Sequence, residues 1–112
     1  MIQLLQWNIN SATKKRAPLV HTARTMNTDI IVLQETLLTN PEKYRLSGYN
    51  TFATPQNAED RGLAILIKST IPAKMISNPI FCGDRVEVMA VEIMLLDTSL
   101  YFCKKSTNIN FR

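Results

Sequence analysis

Histidine and cysteine are scarce in this sequence, which has one histidine and two cysteines among 112 residues. His21 falls in a predicted helix, away from the ends of the predicted strands, which argues against a Ser-His-Asp or Cys-His catalytic site. The spacing of Cys82 and Cys103 fits no zinc motif. Because both cysteines lie among apolar residues, we expect buried free thiols, with a disulfide as the open alternative.

Long apolar segments are also lacking. No run approaches the ~18 residues that a membrane-spanning helix needs. Met1–Leu5 lacks the basic lead and long apolar stretch of a signal peptide, so we expect an intracellular protein without a membrane partner. The net charge of +4 favours anionic partners such as nucleic acid, although the basic residues are scattered along the sequence.

The hydrophobic pattern of the first 36 residues predicts a strand, a helix and a second strand. Ile2–Trp7 is an apolar run that predicts a buried strand. Ala17–Met26 has a helical period, and Asn27 is a suitable stop residue. Asp29–Thr36 contains four consecutive large apolar residues, which predict a strand buried on both faces. The apolar face of the predicted helix consists of Leu19, Val20, Ala23 and Met26.

The remaining sequence predicts further strands, mostly antiparallel. Thr39–Ser47 is polar and predicts a loop with a short helical turn, and Asp97-Thr98 predicts a hairpin turn. The predicted strands are Tyr49–Ala53, Gly62–Lys68, Lys74–Ser77, Arg85–Leu95 and Leu100–Cys103. The chain is therefore expected to adopt an α/β fold with a mixed, mostly antiparallel sheet.

Two polar residues follow the first two predicted strands. Glu35 comes directly after an apolar strand, where a carboxylate is costly to bury unless it is paired or bound to a metal. Asn8 offers an amide oxygen and an amide donor. If the two strands are parallel neighbours, these residues share one edge of the sheet, where α/β proteins bind ligands. A Mg²⁺ site is one interpretation. In the other interpretation, Glu35 is simply exposed and Asn8 makes a local turn.

The order of these segments resembles that of the endonuclease/exonuclease/phosphatase superfamily. Leu5-Gln6-Trp7-Asn8-Ile9-Asn10 resembles its opening strand, and Asp29–Thr36 resembles its second strand with a Gln-Glu-Thr ending. Gly48-Tyr49-Asn50 and then Arg61–Lys68 are similar to the next segment. The resemblance covers about residues 2 to 102 and is strongest to the endonuclease domain of jockey-type non-LTR retrotransposon polyproteins.

This resemblance implies a four-layer α/β sandwich, with residues 1–103 as its N-terminal half and 104–112 as a divergent tail. It also implies hydrolysis of phosphodiesters in DNA with Mg²⁺, or Mn²⁺ in its place, and no small-molecule cofactor. Glu35 matches the metal-binding glutamate of the family, and Asn8 matches the asparagine beside the metal and the phosphate. Arg61 is a candidate phosphate contact, or else a solvated arginine at the start of a strand.

The other catalytic residues of the family do not occur in this sequence. They are a tyrosine ending a strand, an Asp-X-Asn motif and a late Asp-His pair, and Lys104 and Lys105 stand where the tyrosine is expected. We therefore expect a truncated retrotransposon endonuclease domain that is inactive alone. The alternatives are a non-catalytic nucleic-acid-binding fragment, a phosphoesterase acting on a phospholipid or inositol phosphate, and a relic without function. The retroelement analogy implies a nuclear location, and the oligomeric state stays open.

Overall fold

The computed structural model describes residues 2–57, 61–75, 86–93 and 98–105, and from residue 75 onward it describes the backbone alone. The chain divides into two compact units, Met1–Thr70 and Ile71–Arg112. The first unit contains β1 (Leu4–Asn8), α1 (Arg16–Thr25), β2 (Ile30–Gln34), a 3₁₀ turn (Pro41–Lys43), β3 (Tyr49–Ala53) and β4 (Leu63–Lys68). The second unit contains β5 (Ala73–Met75), β6 (Val86–Ile93) and β7 (Thr98–Lys105).

The first unit is built on a four-stranded sheet in the order β1-β2-β4-β3. β1 and β2 are parallel, with Asn8 opposite Gln34, which confirms the predicted strand-helix-strand opening. β4 is antiparallel to β2, with Leu63 opposite Gln34, and β3 is antiparallel to β4. The C-terminal ends of β1 and β2 therefore meet the beginning of β4 at one edge of the sheet.

The core of the first unit lies around the two central strands of this sheet. The residues of β2 from Ile30 to Leu33 are buried, as predicted from their continuous apolar run, and so are those of β4 from Leu63 to Ile67. α1 contributes Leu19 and Ala23 to the core, both at most 1% exposed. This sheet with its helix is an α/β architecture, and four of the five strand pairs in the described residues are antiparallel.

Two expectations about burial in this unit are wrong. β1 is not a buried strand: Leu4 is 55% exposed, and Leu5 and Trp7 are only half-buried. The reason is that β1 lies at the end of the strand order and has a neighbour on one side. Met26 does not lie on the buried helix face. It caps the C-terminus of α1 and is 53% exposed, and Asn27 follows in the left-handed conformation (φ 50°) that ends helices.

The second unit is a three-stranded antiparallel sheet with β6 at its centre. Thr98 was expected in a turn but belongs to β7, where it is paired with Ile93. β7 continues through Lys105, beyond the predicted end at Cys103. The predicted burial of Cys82 and Cys103 lies outside the described side chains. In the part of the chain that the structure describes, no helix has the length and apolar character to cross a membrane.

Candidate active site at one edge of the sheet

The segment that follows β2 is held by backbone hydrogen bonds on both sides. On the β1 side, the N–H of Ser11 donates to the Glu35 carbonyl (3.0 Å) and the N–H of Ala12 donates to the Thr36 carbonyl (2.9 Å). On the β4 side, the N–H of Leu37 donates to the Arg61 carbonyl (2.9 Å). The pairing of the sheet thus continues past the ends of the strands and fixes the backbone of Glu35.

Glu35 itself has a left-handed backbone, with φ at 55°, and so does Leu37. This conformation costs an L-residue with a long side chain roughly 1–2 kcal/mol. Such strain persists where the surroundings enforce it, and it often accompanies functional sites. At Glu35 the flanking backbone hydrogen bonds enforce it.

The three residues singled out from the sequence lie together at this edge. The Asn8 Nδ2 donates to Glu35 Oε2 at 3.1 Å. The Arg61 Nε lies 3.4 Å from Glu35 Oε1 in an ion pair. The Glu35 side chain is 17% exposed and that of Arg61 is 44% exposed. An amide, a carboxylate and a guanidinium therefore face each other where β1, β2 and β4 meet.

Asn10 is a fourth member of this group, and the sequence prediction missed it. Its Oδ1 accepts a hydrogen bond from the Arg61 Nη2 at 3.4 Å. The sequence carries no signal for it, because Asn10 lies beyond the end of β1 and its position depends on a positive φ of 46°. The structure thus adds a second amide oxygen to the predicted set.

The rear of the site is formed by closely packed residues. The Tyr44 hydroxyl donates to the Ala12 carbonyl at 3.0 Å, and burial raises the pKa of Tyr44 above its usual value. Gly62 has a φ of 91°, and a Cβ there would lie 2.6 Å from the Thr36 Oγ1. Thr36 is fully buried. Only glycine fits this approach of β4 to the segment after β2.

The oxygen ligands of this site suit a hard cation that takes only a few of its ligands from the protein. No cluster of three or more His, Cys, Asp or Glu occurs among residues 2–57 and 61–74, whose side chains the structure describes. Zinc-type ligation is therefore not formed there. Mg²⁺ commonly uses one or two carboxylates, and its other ligands are waters and substrate phosphates. Glu35 with the amide oxygens of Asn8 and Asn10 fits that requirement.

The family of this chain is identified from its sequence. Residues 5–101 match the Endonuclease/Exonuclease/phosphatase family, and the chain belongs to it. No curated protein matches the chain in sequence.

Three solved structures share the fold of this chain. The chain is 19% identical to an AP endonuclease from Archaeoglobus fulgidus over 83% of this chain and 37% of that one, with a TM-score of 0.63. It is 18% identical to the AP endonuclease LMAP from Leishmania major over 93% and 39%, with a TM-score of 0.62. It is 20% identical to the catalytic domain of APE2 from Xenopus laevis over 89% of this chain and 42% of that one, with a TM-score of 0.53. The chain spans about two fifths of the length of these structures.

Proposed function

We propose that this chain carries one part of a metal-dependent phosphodiesterase site that acts on DNA, with Asn8 and Glu35 as metal-binding residues. The observation that carries the proposal is the contact between these two side chains at the shared edge of β1 and β2. The left-handed backbone of Glu35 supports it, because such strain is not needed for an ordinary solvated glutamate. Nucleases of this family generally depend on a divalent metal, and we propose Mg²⁺, with Mn²⁺ as a substitute.

Each residue has a distinct task in this proposal. A bound metal would supply charge that stabilises the phosphate and the leaving oxygen. Glu35 provides the anionic oxygen that holds the metal, and Asn8, whose amide N–H donates to this carboxylate, offers its amide oxygen as a second ligand. The Arg61 guanidinium offers a planar fork of donors, a geometry suited to phosphate oxygens. Asn10 holds one arm of that fork, so Arg61 is oriented before substrate binds.

A neighbouring pocket favours a nucleic-acid substrate over a small phosphoester. It has a volume of about 320 Å³, and no carboxylate belongs to the described residues that line it. Thr13 and Leu37, which follow the two site loops, form part of its wall, and Arg16 and Lys43 supply two cations. A phosphate next to the one at Arg61 would find complementary charge there. The same observation supports the second candidate, a nucleic-acid-binding fragment without catalysis, because these cations would bind phosphate whether or not a bond is cut.

We further propose that the 112 residues do not cut DNA alone and that they derive from a non-LTR retrotransposon. Inactivity follows from the reaction, which also needs a base for the attacking water. The retrotransposon origin rests on the resemblance of the Trp7-Asn8 and Gln34-Glu35-Thr36 segments. A reading frame that continues downstream into Asp-X-Asn, Asp-His and polymerase motifs would support this origin, and a continuation without them would contradict it.

The metal proposal can be tested by Mn²⁺ binding, followed by electron paramagnetic resonance on the full chain. Glu35→Gln should abolish saturable binding, because an amide replaces the anionic ligand. The matched control is Asp29→Asn, the same chemical change at the opposite end of the sheet, which should leave binding intact. Equal binding by the wild type and Glu35→Gln would refute the site.

The substrate proposal can be tested by the salt dependence of binding to a DNA duplex. Arg16→Gln should lower the slope of log affinity against log salt by about 0.9, as expected when one phosphate contact is lost. Arg45→Gln removes an exposed charge that does not line the pocket and should leave the slope unchanged. Equal slopes in both variants would remove the pocket from the binding surface.

Supercoiled plasmid with Mg²⁺ should stay intact, and nicking that is lost in Glu35→Ala would contradict inactivity.

A further inference from the structure

The side chain of Lys15 makes contacts unlike those of a solvated lysine. Its Nζ donates to the carbonyl of Ile9 at 2.6 Å and to the carbonyl of Asn10 at 2.8 Å. Its own backbone is fixed, because its carbonyl accepts the first hydrogen bond of α1 from Leu19 (3.0 Å). Lys15 therefore connects the start of α1 to the end of β1.

The loop that receives these hydrogen bonds has an unusual backbone. Asn10 and Ser11 both have positive φ angles, 46° and 93°. A half-buried carbonyl that leaves a sheet needs another partner. The ammonium of Lys15 supplies one for Ile9, and it also bonds the exposed carbonyl of Asn10. The N–H groups of the same loop are bonded to the segment after β2, as described for Ser11 and Ala12. Lys15 thus completes the bonding that holds the loop in this conformation.

The same loop contains one amide of the candidate site and adjoins the other, which belongs to the last residue of β1. Asn8 precedes it and contacts Glu35, while Asn10 lies within it and contacts Arg61. Movement of the loop would withdraw Asn10 and loosen the end of β1 that carries Asn8. We propose that Lys15 is a positioning residue that holds Asn8 and Asn10 in place for the metal site, an inference that rests on the function proposed above.

A role through charge and a role in positioning the loop predict opposite changes in metal affinity when Lys15 is replaced. If Lys15 acted only through its charge, removing a cation near a divalent-metal site would strengthen metal binding. If it positions the loop, removing its hydrogen bonds weakens metal binding even though a repulsive charge is lost. The sign of the change separates the two roles.

The experiment measures Mn²⁺ affinity by electron paramagnetic resonance for the full chain and three variants. Lys15→Met keeps an apolar stem and should weaken binding roughly tenfold, the scale typical of residues that orient metal ligands. Lys15→Arg keeps the charge with a different shape and should give an intermediate loss. Lys14→Met makes the same charge change at the exposed neighbouring residue and should bind as the wild type or tighter. Unchanged or tighter binding by Lys15→Met would overturn the inference.

Two further readouts keep this test decisive. If Lys15→Met does not fold, Lys15→Arg decides alone, because affinity equal to that of the wild type would refute positioning. Hydrogen exchange without metal tests the loop directly. Lys15→Met should speed exchange at the amides of Ser11 and Ala12 but not at Ile30, and unchanged exchange at the loop would refute the inference. Failure of the wild type itself to bind Mn²⁺, or binding by Glu35→Gln, would instead refute the proposed function.

Discussion

The two ends of the four-stranded sheet carry the same three kinds of side chain, an asparagine, a carboxylate and a cation. At the candidate site these are Asn8, Glu35 and Arg61, and at the opposite end they are Asn27, Asp29 and Lys68. Composition alone therefore does not distinguish a site from a structural contact. The difference lies in the backbone hydrogen bonds and the backbone conformation at each carboxylate.

Asp29 is bound by the backbone of the sheet. Its Oδ2 accepts a hydrogen bond from the Gln3 N–H at 2.8 Å, and its Oδ1 lies 3.5 Å from the Lys68 Nζ. The Gln3 N–H and then the Lys68 charge hold the pKa of Asp29 below its usual value of 3.8, against the opposing effect of burial. Asp29 thus joins β1 to β2 and β4, as a structural residue does.

Glu35 differs in having two side-chain partners, Asn8 and Arg61, which can exchange for a ligand without loss of sheet pairing. Its backbone is strained, and the described hydrogen bonds of Asn8 and Arg61 lead back to Glu35 and Asn10 rather than to the core. The two carboxylates therefore differ in their described partners and in backbone conformation, although the neighbouring side chains are of the same kinds.

The largest expected effect on the free energy of unfolding comes from replacing the glycine at each end of the sheet. Gly62→Ala at the site should cost roughly 2–4 kcal/mol of unfolding free energy, from strain at positive φ and from overpacking against Thr36 and the Thr54 carbonyl at 3.2 Å. Gly48→Ala near the other end has φ at 89° but open space, so only about 1 kcal/mol is expected. Urea denaturation measures both. Equal losses would show that the site end is not closely packed.

A smaller effect is expected at Asp29. Asp29→Asn should cost about 1–2 kcal/mol at pH 7, because charged hydrogen bonds are weakened, whereas Glu35→Gln should cost less than about 1 kcal/mol, as for a partly exposed ion pair. A larger loss in Glu35→Gln would reverse our assignment of the structural carboxylate.

The same variant also predicts a pH dependence. Since the pKa of Asp29 is lower in the folded state, its stabilisation is present above 3.8 and is lost as the pH falls through the folded value. The difference in unfolding free energy between the wild type and Asp29→Asn should therefore shrink in acid. Denaturation curves from pH 7 down to pH 2 measure it, and a constant difference would contradict the lowered pKa.

The smallest effect concerns the backbone at position 35. Glu35→Gly should be more stable than Glu35→Ala by about 1 kcal/mol, because glycine adopts a φ of 55° without strain. At position 29, which has no positive φ, Asp29→Gly should be no more stable than Asp29→Ala. Thermal unfolding of the four variants compares the two ends. If Glu35→Ala equalled Glu35→Gly, the strain would be absent.

Sequence reasoning predicted the elements better than their burial. The continuous apolar residues of β2 predicted a strand buried on both faces, because only such strands tolerate apolar side chains on each side. The apolar run in β1 predicted a buried strand and was wrong, since position in the sheet is a non-local property. Gly62–Lys68 was predicted as a strand, and its burial was found only in the structure. Asn8, Glu35 and Arg61 were predicted to share a site and the structure brings them together, whereas their roles stay a prediction. Lys15 gave no signal, because its contacts depend on a turn formed by other residues.

The sequence by itself determined the alternation of strand, helix and strand and thus the edge where Asn8 and Glu35 meet. Local hydrophobic period and chain order are enough for that result. The tertiary structure decided which carboxylate is structural, which cation contacts Glu35, and which lysine holds the loop. The first two outcomes depend on contacts between residues 26 to 51 positions apart, which are set by strand register. The contacts of Lys15 span only five and six positions, and they depend on the backbone conformation of the loop at Asn10 and Ser11.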